Sequence, residues 1–179
     1  FPHIGIVGTN TEDYESDRIY ASGCIINNSL SNASNFRSTM NFDNWLKTNK
    51  KVCLTNIDTR QLTKKIRESG ARKALIHFPA NGKFQKISFL KKKLDNFPSM
   101  KNQDLAENVS TKNIYKWFKG SKTDLDNVKK SFIAVIDFGI KKNILNILGS
   151  YEYDIIVFPY NYPIKNIINK NPAGIFLSN

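Results

Sequence analysis

Residues 131–179 alternate between short apolar runs and segments with helical spacing, and this alternation limits the fold more than any other feature of the sequence. The run at 132–136 contains mainly branched and aromatic side chains, is too short for a globular helix and is typical of a strand covered on both faces. Between the runs, apolar residues recur three and four positions apart, as on one face of a helix. Two strand–helix–strand units in tandem imply a parallel sheet with right-handed crossovers. We therefore expect parallel strands at 132–137, 154–158 and 174–177, with the first flanked by one or both of the others.

The predicted sheet is small, and its third strand lies at the end of the sequence. Three strands are fewer than the roughly five or six of an average sheet. In open α/β sheets, ligands bind beyond the carboxyl ends of the strands, and here only Ser178 and Asn179 follow the third strand. The sequence also begins with Phe1 and not with methionine. We expect it to be an internal piece of a longer protein, trimmed at both ends.

The chain is strongly basic, with a formal net charge of +12 from 27 Lys and Arg against 15 Asp and Glu. Clustered cations would indicate nucleic-acid binding, because they displace counterions from phosphates. Here the lysines are spread over every segment, and the densest run is only Lys91, Lys92 and Lys93. This distribution favours solvated faces and an acidic protein partner over nucleic acid. A membrane partner is not expected either, because no apolar run approaches the roughly 18 residues that a membrane span requires.

The chain has two cysteines and two histidines, the residue types that most often carry nucleophilic or metal chemistry. Cys24 and Cys53 each lie in an apolar, strand-like run, and neither sits at a strand-to-helix elbow with a histidine nearby. We therefore expect both to behave as small buried hydrophobic residues. His3 and His77 are too isolated in the sequence to form a metal site.

The first half of the chain mixes predicted strands and helices. Asn41 is a good N-cap for a short helix, while Asp58 or Thr59 at the start and Gly70 at the end bracket the clearest helix of this region. Residues 84–97 predict a further amphipathic helix. Strand-like runs lie at 18–26, 52–57, 74–78 and 113–118.

The helix that Gly70 ends is predicted to have two distinct faces. Leu62 and Ile66 are four residues apart and are expected to be buried. Arg60, Lys64 and Arg67 share the outer face. That cationic face is either solvated or a docking surface for another subunit, and the spacing alone does not decide between the two.

A polar stretch without periodicity separates the two halves of the chain, which is typical of a linker. The predicted organisation is a mixed α/β domain at 1–120, a linker at 121–130 and the start of a doubly wound α/β domain at 131–179.

Short motifs spread over the whole chain resemble those of the small chains of carbamoyl-phosphate synthase. In order along the sequence they are Pro2-His3-Ile4-Gly5, Gly8-Thr9-Asn10, Ala33-Ser34-Asn35-Phe36-Arg37, Ile57-Asp58-Thr59-Arg60 with Leu62-Thr63, Trp117 near Gly120-Ser121, Asp137-Phe138-Gly139 with Lys142-Asn143-Ile144, and Gly174-Ile175-Phe176-Leu177-Ser178-Asn179. Two positions depart from the family pattern. Ile6 stands where an asparagine is usual, and Asn146 stands where an arginine is common.

The resemblance implies an N-terminal small-chain domain that packs against a large synthetase subunit, followed by a class I glutamine amidotransferase domain. That second domain would hydrolyse glutamine and pass ammonia to the large subunit. The large subunit would use ATP, metal ions and bicarbonate to make carbamoyl phosphate for arginine and pyrimidine biosynthesis in the cytoplasm. The small subunit itself would need no cofactor.

The resemblance also implies where the family's site residues fall. The glycine-rich turn that helps to hold glutamine and the oxyanion follows Asn179 in the family, and the nucleophilic cysteine, the histidine and the glutamate come later still. A glutamine-contacting serine precedes Phe1. Cys24 and Cys53 match none of these positions. We therefore predict no catalytic, cofactor-binding, substrate-binding or metal-binding residue within 1–179.

Two other classes of function stay open at this point. One is the small subunit of another glutamine amidotransferase, such as that of anthranilate synthase, which shares the second domain but lacks the first. The other is a non-catalytic basic interaction module, for which a continuous groove of Lys and Arg would be the distinguishing feature.

Overall fold

The computed structural model describes residues 8–70, 72–79, 81–126, 128 and 131–178. The chain divides into two compact units. Unit 1 comprises Phe1–Asp13 and Ile19–Gln103, and unit 2 comprises Tyr14–Arg18 and Asp104–Asn179. A short segment from early in the sequence therefore belongs to the later unit.

Unit 1 contains short elements. They are a 3-10 helix at Thr11–Asp13, β1 (Gly23–Ile25), α1 (Phe42–Thr48), β2 (Val52–Leu54), α2 (Thr59–Ser69) and α3 (Ile87–Asn96). β1 and β2 form a parallel pair in which Cys24 lies opposite Cys53. The two strands predicted at 18–26 and 52–57 are thus confirmed but are shorter than expected. β2 ends at Leu54, shortly before Asn56, whose positive φ of 59° turns the backbone away from a strand conformation.

The helix predicted after Asn41 is confirmed as α1. The Asn41 side chain accepts a hydrogen bond from the backbone N–H of Asn44 at 2.9 Å, which is the expected N-cap geometry. Leu46 is buried, and the Phe42 and Trp45 rings stack with their centroids 5.6 Å apart. The cap fixes where the helix begins, and the apolar face fixes which side packs.

The caps of α2 were predicted correctly, but its buried face was not. Asp58 accepts a hydrogen bond from the Gln61 N–H at 2.9 Å, and Gly70 is the C-cap. Ile66, however, is 46% exposed and Leu62 is only half-buried. The helical spacing gathers apolar side chains on one side, yet it does not supply a neighbouring element to cover them.

Two further expectations for unit 1 have mixed outcomes. The amphipathic helix within 84–97 is confirmed as α3, which ends before Phe97, although no residue of α3 is buried. The strand predicted at 74–78 is wrong, because these residues form neither strand nor helix.

Unit 2 carries most of the buried core. Its elements are α4 (Ala106–Val109), β3 (Tyr115–Phe118), β4 (Ser121–Thr123), β5 (Phe132–Asp137), α5 (Lys142–Gly149), β6 (Asp154–Pro159), α6 (Ile164–Ile168) and β7 (Gly174–Leu177). One five-stranded sheet runs through the unit in the order β4-β3-β6-β5-β7.

The three predicted parallel strands are confirmed, with β5 between the other two. β5 pairs with β6 from Phe132↔Asp154 to Asp137↔Pro159, and with β7 from Ile133↔Gly174 to Ile136↔Leu177. The expectation of only three strands is wrong, because β3 and β4 extend the sheet as an antiparallel hairpin on β6.

This hairpin also moves the boundary between the halves of the chain. The sequence placed 113–118 in the first domain and began a linker at 121, whereas the structure puts β3 and β4 in unit 2 and divides the chain at Gln103. Lys119 and Gly120, both with positive φ, form the two-residue turn that joins the two strands. Residues 127, 129 and 130 of the predicted linker lie outside the described residues.

The two faces of the sheet are covered by different helices. On one face the buried residues are Phe132, Ala134, Ile136, Ile156, Phe158 and, from α6, Ile167. On the other they are Trp117, Val135, Ile155, Val157 and, from α5, Leu145. Fully burying an aliphatic side chain of this size contributes about 1.5–3 kcal/mol, so these residues are the main source of stability in unit 2.

A buried ion pair joins β3 to β6. The Lys116 ammonium lies 2.9 Å from the Asp154 carboxylate, and the side chains are 11% and 7% exposed. The Lys116 ammonium also lies 5.6 Å from the centre of the Phe118 ring. Because both side chains are buried, removing one would leave the charge of the other without full hydration, at a large cost in folding free energy.

We expect Asp154→Ala to lower the free energy of unfolding of unit 2 by about 3–5 kcal/mol, since it leaves the Lys116 ammonium buried without its carboxylate partner. The double replacement Lys116→Met, Asp154→Leu should recover most of that loss. Urea denaturation followed by tryptophan fluorescence measures both.

The matched control is Lys122→Met, which removes an exposed ion pair with Asp17 and should change stability by no more than about 1 kcal/mol. A loss for Asp154→Ala no larger than that of the control would contradict a structural role for the buried pair.

Candidate functional site

The carboxyl ends of β5, β6 and β7 meet at one edge of the sheet in unit 2. The chain passes from β5 to β6 on one side and then crosses to β7 on the other, so the strand order reverses at β5. Ligands of open α/β sheets bind at such a reversal, beyond the carboxyl ends of the strands. This edge is therefore the candidate site.

Asp137, the last residue of β5, holds the turn that follows the strand. One carboxylate oxygen accepts hydrogen bonds from the backbone N–H groups of Gly139 at 2.8 Å and Ile140 at 2.9 Å. The other accepts from the N–H of Thr111 at 2.7 Å. The side chain is buried, so these three bonds replace the water that the carboxylate loses. Asp137 thus anchors the loop.

The same turn requires a glycine. Gly139 has a φ of +108°, and a Cβ atom there would lie 3.1 Å from the Val109 side chain. Both the backbone conformation and the close contact with the end of α4 disfavour any larger residue. The Asp-Phe-Gly sequence at 137–139 therefore has a local structural explanation.

Two buried serines connect neighbouring loops at this edge. The Ser178 hydroxyl oxygen accepts a hydrogen bond from the Phe138 N–H at 2.8 Å, while the Ser178 N–H donates to the Ile136 carbonyl. The Ser110 hydroxyl oxygen accepts from the Tyr160 N–H at 3.0 Å. The chain segments that leave β5, β6 and β7 are therefore fixed by hydrogen bonds to buried side chains.

Tyr160, the first residue after β6, contacts two other segments at this edge of the sheet. Its hydroxyl donates to the Asp104 carboxylate at 2.7 Å, and its ring meets the Phe138 ring edge-on at 6.3 Å. The hydrogen bond to Asp104 raises the pKa of Tyr160 to about 12, so the phenol stays protonated near neutral pH. It can position a loop but cannot act as a base there.

The acidic segment Tyr14–Arg18, here called the acidic strap, covers the start of α5. The Glu15 carbonyl accepts from the Lys142 N–H at 3.0 Å, and the Glu15 carboxylate accepts from the Asn143 N–H at 2.9 Å. The Asp17 carboxylate binds the ammonium groups of Lys142 at 2.7 Å and Lys122 at 3.0 Å. Hydrogen bonds from Lys142 and then Lys122 lower the pKa of Asp17. No local pattern in the sequence predicts this contact.

Asn146, one of the two departures from the family pattern, has a defined partner. Its side-chain oxygen accepts a hydrogen bond from the indole N–H of the buried Trp117 at 2.9 Å, which ties α5 to β3. A buried indole N–H needs an acceptor, so an asparagine is well suited to this position. The other departure, Ile6, lies outside the described residues.

The remaining candidate residues belong to unit 1. Cys24 and Cys53 lie in β1 and β2 of unit 1, as predicted, but they are half-buried and not fully buried. The His77 ring accepts a hydrogen bond from the Gln85 N–H at 3.3 Å, and His3 lies outside the described residues. Over the described ranges, no three His, Cys, Asp or Glu side chains are grouped so as to bind a metal.

Comparison with known families identifies the class of protein first. Residues 134–179, which include most of β5 and all of β6 and β7, match the family model described as "Glutamine amidotransferase class-I". Residues 1–76 match the model described as "Carbamoyl-phosphate synthase small chain, CPSase domain". The parallel sheet of unit 2 is thus the start of an amidotransferase domain, preceded in the same chain by a domain of one particular synthase.

Individual relatives agree with this. The chain is 41% identical to the carbamoyl phosphate synthase small chains of Bartonella henselae and of Buchnera aphidicola from Acyrthosiphon pisum, and 37% identical to that of Yersinia pestis. These alignments cover 99–100% of the chain and 47% of each relative. The chain belongs to the family of carbamoyl-phosphate synthase small chains, and it spans about half the length of the curated relatives it matches.

Replacing Asp137 by Asn tests its role in the turn. The amide presents an NH₂ group where one carboxylate oxygen accepts a bond, so at least one of the three backbone N–H groups loses its acceptor. We expect a loss of stability of about 1–3 kcal/mol. We also expect faster hydrogen exchange at the amides of Gly139, Ile140 or Thr111.

Asp124→Asn, at an exposed position of the same unit, is the control and should leave both measurements unchanged. Equal behaviour of the two variants would show that the Asp137 carboxylate does not hold this loop.

Proposed function

We propose that this chain is part of the glutamine-hydrolysing small subunit of a carbamoyl-phosphate synthase. The observation that carries the proposal is the presence of the two family regions, at 1–76 and 134–179, in one chain and in this order. The complete subunit would release ammonia from glutamine and deliver it to a large subunit. That subunit would use ATP, metal ions and bicarbonate to make carbamoyl phosphate for arginine and pyrimidine biosynthesis. The small subunit would need no cofactor of its own.

The residues of this chain would contribute a scaffold to the reaction. Amide hydrolysis needs an activated nucleophile, a proton carrier and preorganised donors for the oxyanion. At the candidate site, the polar groups of Asp137 and Ser178 are engaged in hydrogen bonds to the backbone. Their proposed role is to hold the loops after β5 and β7 in fixed conformations. Catalytic groups from elsewhere in the subunit could then assemble against these loops.

The alternative classes of function have less support. A small subunit of the anthranilate type would not include the domain matched at residues 1–76.

None of the described helices is both long enough and apolar enough to cross a membrane. We propose a cytoplasmic location and no role in nucleic-acid binding.

The large subunit is proposed to dock on the cationic face of α2. Arg60, Lys64 and Arg67 lie three and four residues apart, so they share one side of the helix, and all three are exposed. α2 has no buried residue of its own, and the Lys64–Glu68 contact is long, at 3.9 Å. An exposed, mainly cationic face is suited to guiding encounter with an acidic partner.

The 179-residue chain by itself is expected to show no glutaminase activity. Loss of a nucleophile alone typically removes most of the rate acceleration of such an enzyme. The measurement is glutamate release from glutamine by the purified chain, with the Cys24→Ser, Cys53→Ser double variant as control. Activity that either single replacement abolishes would show that the wrong cysteine had been dismissed. Activity that survives the double replacement would place the catalytic site on other residues of this chain.

Replacing Arg60, Lys64 and Arg67 by Glu in the complete subunit should slow or abolish copurification with the large subunit, because the charge that guides encounter is reversed. The matched control replaces Lys91, Lys92 and Lys93 on α3 by Glu, which changes the net charge equally. We expect that control to copurify normally. If both variants lose the partner to the same extent, net charge and not the α2 face controls docking.

A further inference from the structure

The two cysteines of the chain lie opposite each other in adjacent strands. Cys24 of β1 and Cys53 of β2 are register partners in a parallel pair, so their side chains leave the same face of that pair. Neighbouring strands are about 4.8 Å apart, which lies within the roughly 4.4–6.8 Å that separates the Cα atoms of disulfide-bonded cysteines. Both thiols are free and half-buried, so a small reagent can reach them.

The strands that carry the two thiols have room to adjust. Each is three residues long, and the sheet has two strands among the described residues. The ladder continues for one step beyond the strands, where the N–H of Ile26 donates to the carbonyl of Leu54 at 2.8 Å. Ile26 is fully buried and anchors this end of the pair. The cysteines are thus held side by side, while the short strands can accept the small shift that a bond between them requires.

We propose that Cys24 and Cys53 form a two-thiol modification site that a low-molecular-weight disulfide oxidises to an intramolecular bond across β1 and β2. In the first step the Cys24 thiolate attacks one sulfur of the reagent, a Cys24–reagent disulfide forms and one reagent thiolate leaves. In the second step Cys53 loses its proton to solvent, its sulfur attacks the Cys24 sulfur and the second reagent thiolate leaves. The two protein thiols are oxidised, and the reagent is reduced to two thiols.

The surroundings of Cys53 set the order of these steps. Burial, and then the hydrogen bond and charge of neighbouring Cys24, raise the pKa of Cys53 to about 12. Near neutral pH only a very small fraction of Cys53 is thiolate, the form that attacks a disulfide. Cys24 is therefore the thiol that meets the reagent first, and Cys53 closes the bond afterwards. Closure should accelerate about tenfold for each pH unit between pH 7 and 9.

The bond would change the stability of unit 1. It would close a loop of chain that contains α1 and the start of β2, and a crosslink of this kind restricts the unfolded chain more than the folded one. Oxidation would therefore hold β1 and β2 together under conditions that separate them in the reduced chain.

The test treats the full folded chain with glutathione disulfide, stops the reaction with acid and a thiol-alkylating reagent, and analyses tryptic peptides by mass spectrometry. Cleavage at Arg and Lys places Cys24 in the peptide 19–37 and Cys53 in the peptide 52–60. We expect these two peptides joined and lighter by two hydrogen atoms than their sum. The joined species should form at least about tenfold faster in the folded chain than in guanidinium, because the fold replaces a flexible loop with fixed neighbours.

Single replacements separate the roles of the two thiols. In Cys53→Ser the glutathione adduct on Cys24 should persist, and in Cys24→Ser the adduct on Cys53 should form at least about tenfold more slowly at pH 7. Cys→Ala versions of both variants exclude an effect of the serine hydroxyl. Separate adducts without a joined peptide would overturn the proposal, and so would joining that is equally fast in guanidinium.

Discussion

The architecture of unit 2 depends on the two-sided pairing of β5. A strand with parallel neighbours on both edges cannot be reached by tight hairpins, so each neighbour must arrive through a crossover. In this chain the crossovers are α5 and α6, and they cover opposite faces of the sheet, with Leu145 packing on one side and Ile167 on the other. Both faces of β5 and β6 are therefore shielded from water. This is why their sequences are nearly continuous apolar runs and do not alternate.

The same pairing sets the geometry of the candidate site. Asp137 lies opposite Pro159, and Ile136 lies opposite Leu177. The segments that follow β5, β6 and β7 therefore leave the sheet at nearly the same position along the strand direction. Their first residues then meet, and the polar side chains among them bond to each other's backbone. Asp137 and Ser178 are thus positioned by strand register, while their own hydrogen bonds fix the path of the loops. The candidate site is thus defined by strand register and by the hydrogen bonds of the loops that follow the strands.

Much of this framework could be predicted from the sequence, because local composition determines it. A strand buried on both faces is apolar throughout, and a helix that covers it has apolar residues at fixed spacing, so β5, β6, β7 and the helices between them were predicted. The N-caps at Asn41 and Asp58 are equally local. The hairpin of β3 and β4 was assigned to the wrong unit, because its pairing with β6 joins residues about forty positions apart, such as Lys116 with Ile156. The two-residue turn at Lys119 and Gly120 was a signal that could have revealed the hairpin itself.

The errors in unit 1 have a different physical origin. Helical spacing shows that α2 and α3 have an apolar side, but only a neighbouring element can bury it, and the sequence does not reveal that element. The contacts of the acidic strap are missed for a related reason. Glu15 and Asp17 are unremarkable as exposed acids until α5 and Lys122 are brought next to them by the fold.

The acidic strap has a consequence for the order of events during synthesis. Glu15 and Asn143 are 128 residues apart, so a ribosome that adds about 5–20 residues per second separates their appearance by roughly 6–26 s. During that interval the strap has no helix to bind, and the chain on either side of it belongs to a unit that can already be folding. Once α5 is made, the N–H groups of Lys142 and Asn143 donate hydrogen bonds to Glu15, although the strap residues stay exposed at the surface. A protease should therefore cut a nascent chain at Tyr14–Arg18 more readily before α5 is made than afterwards.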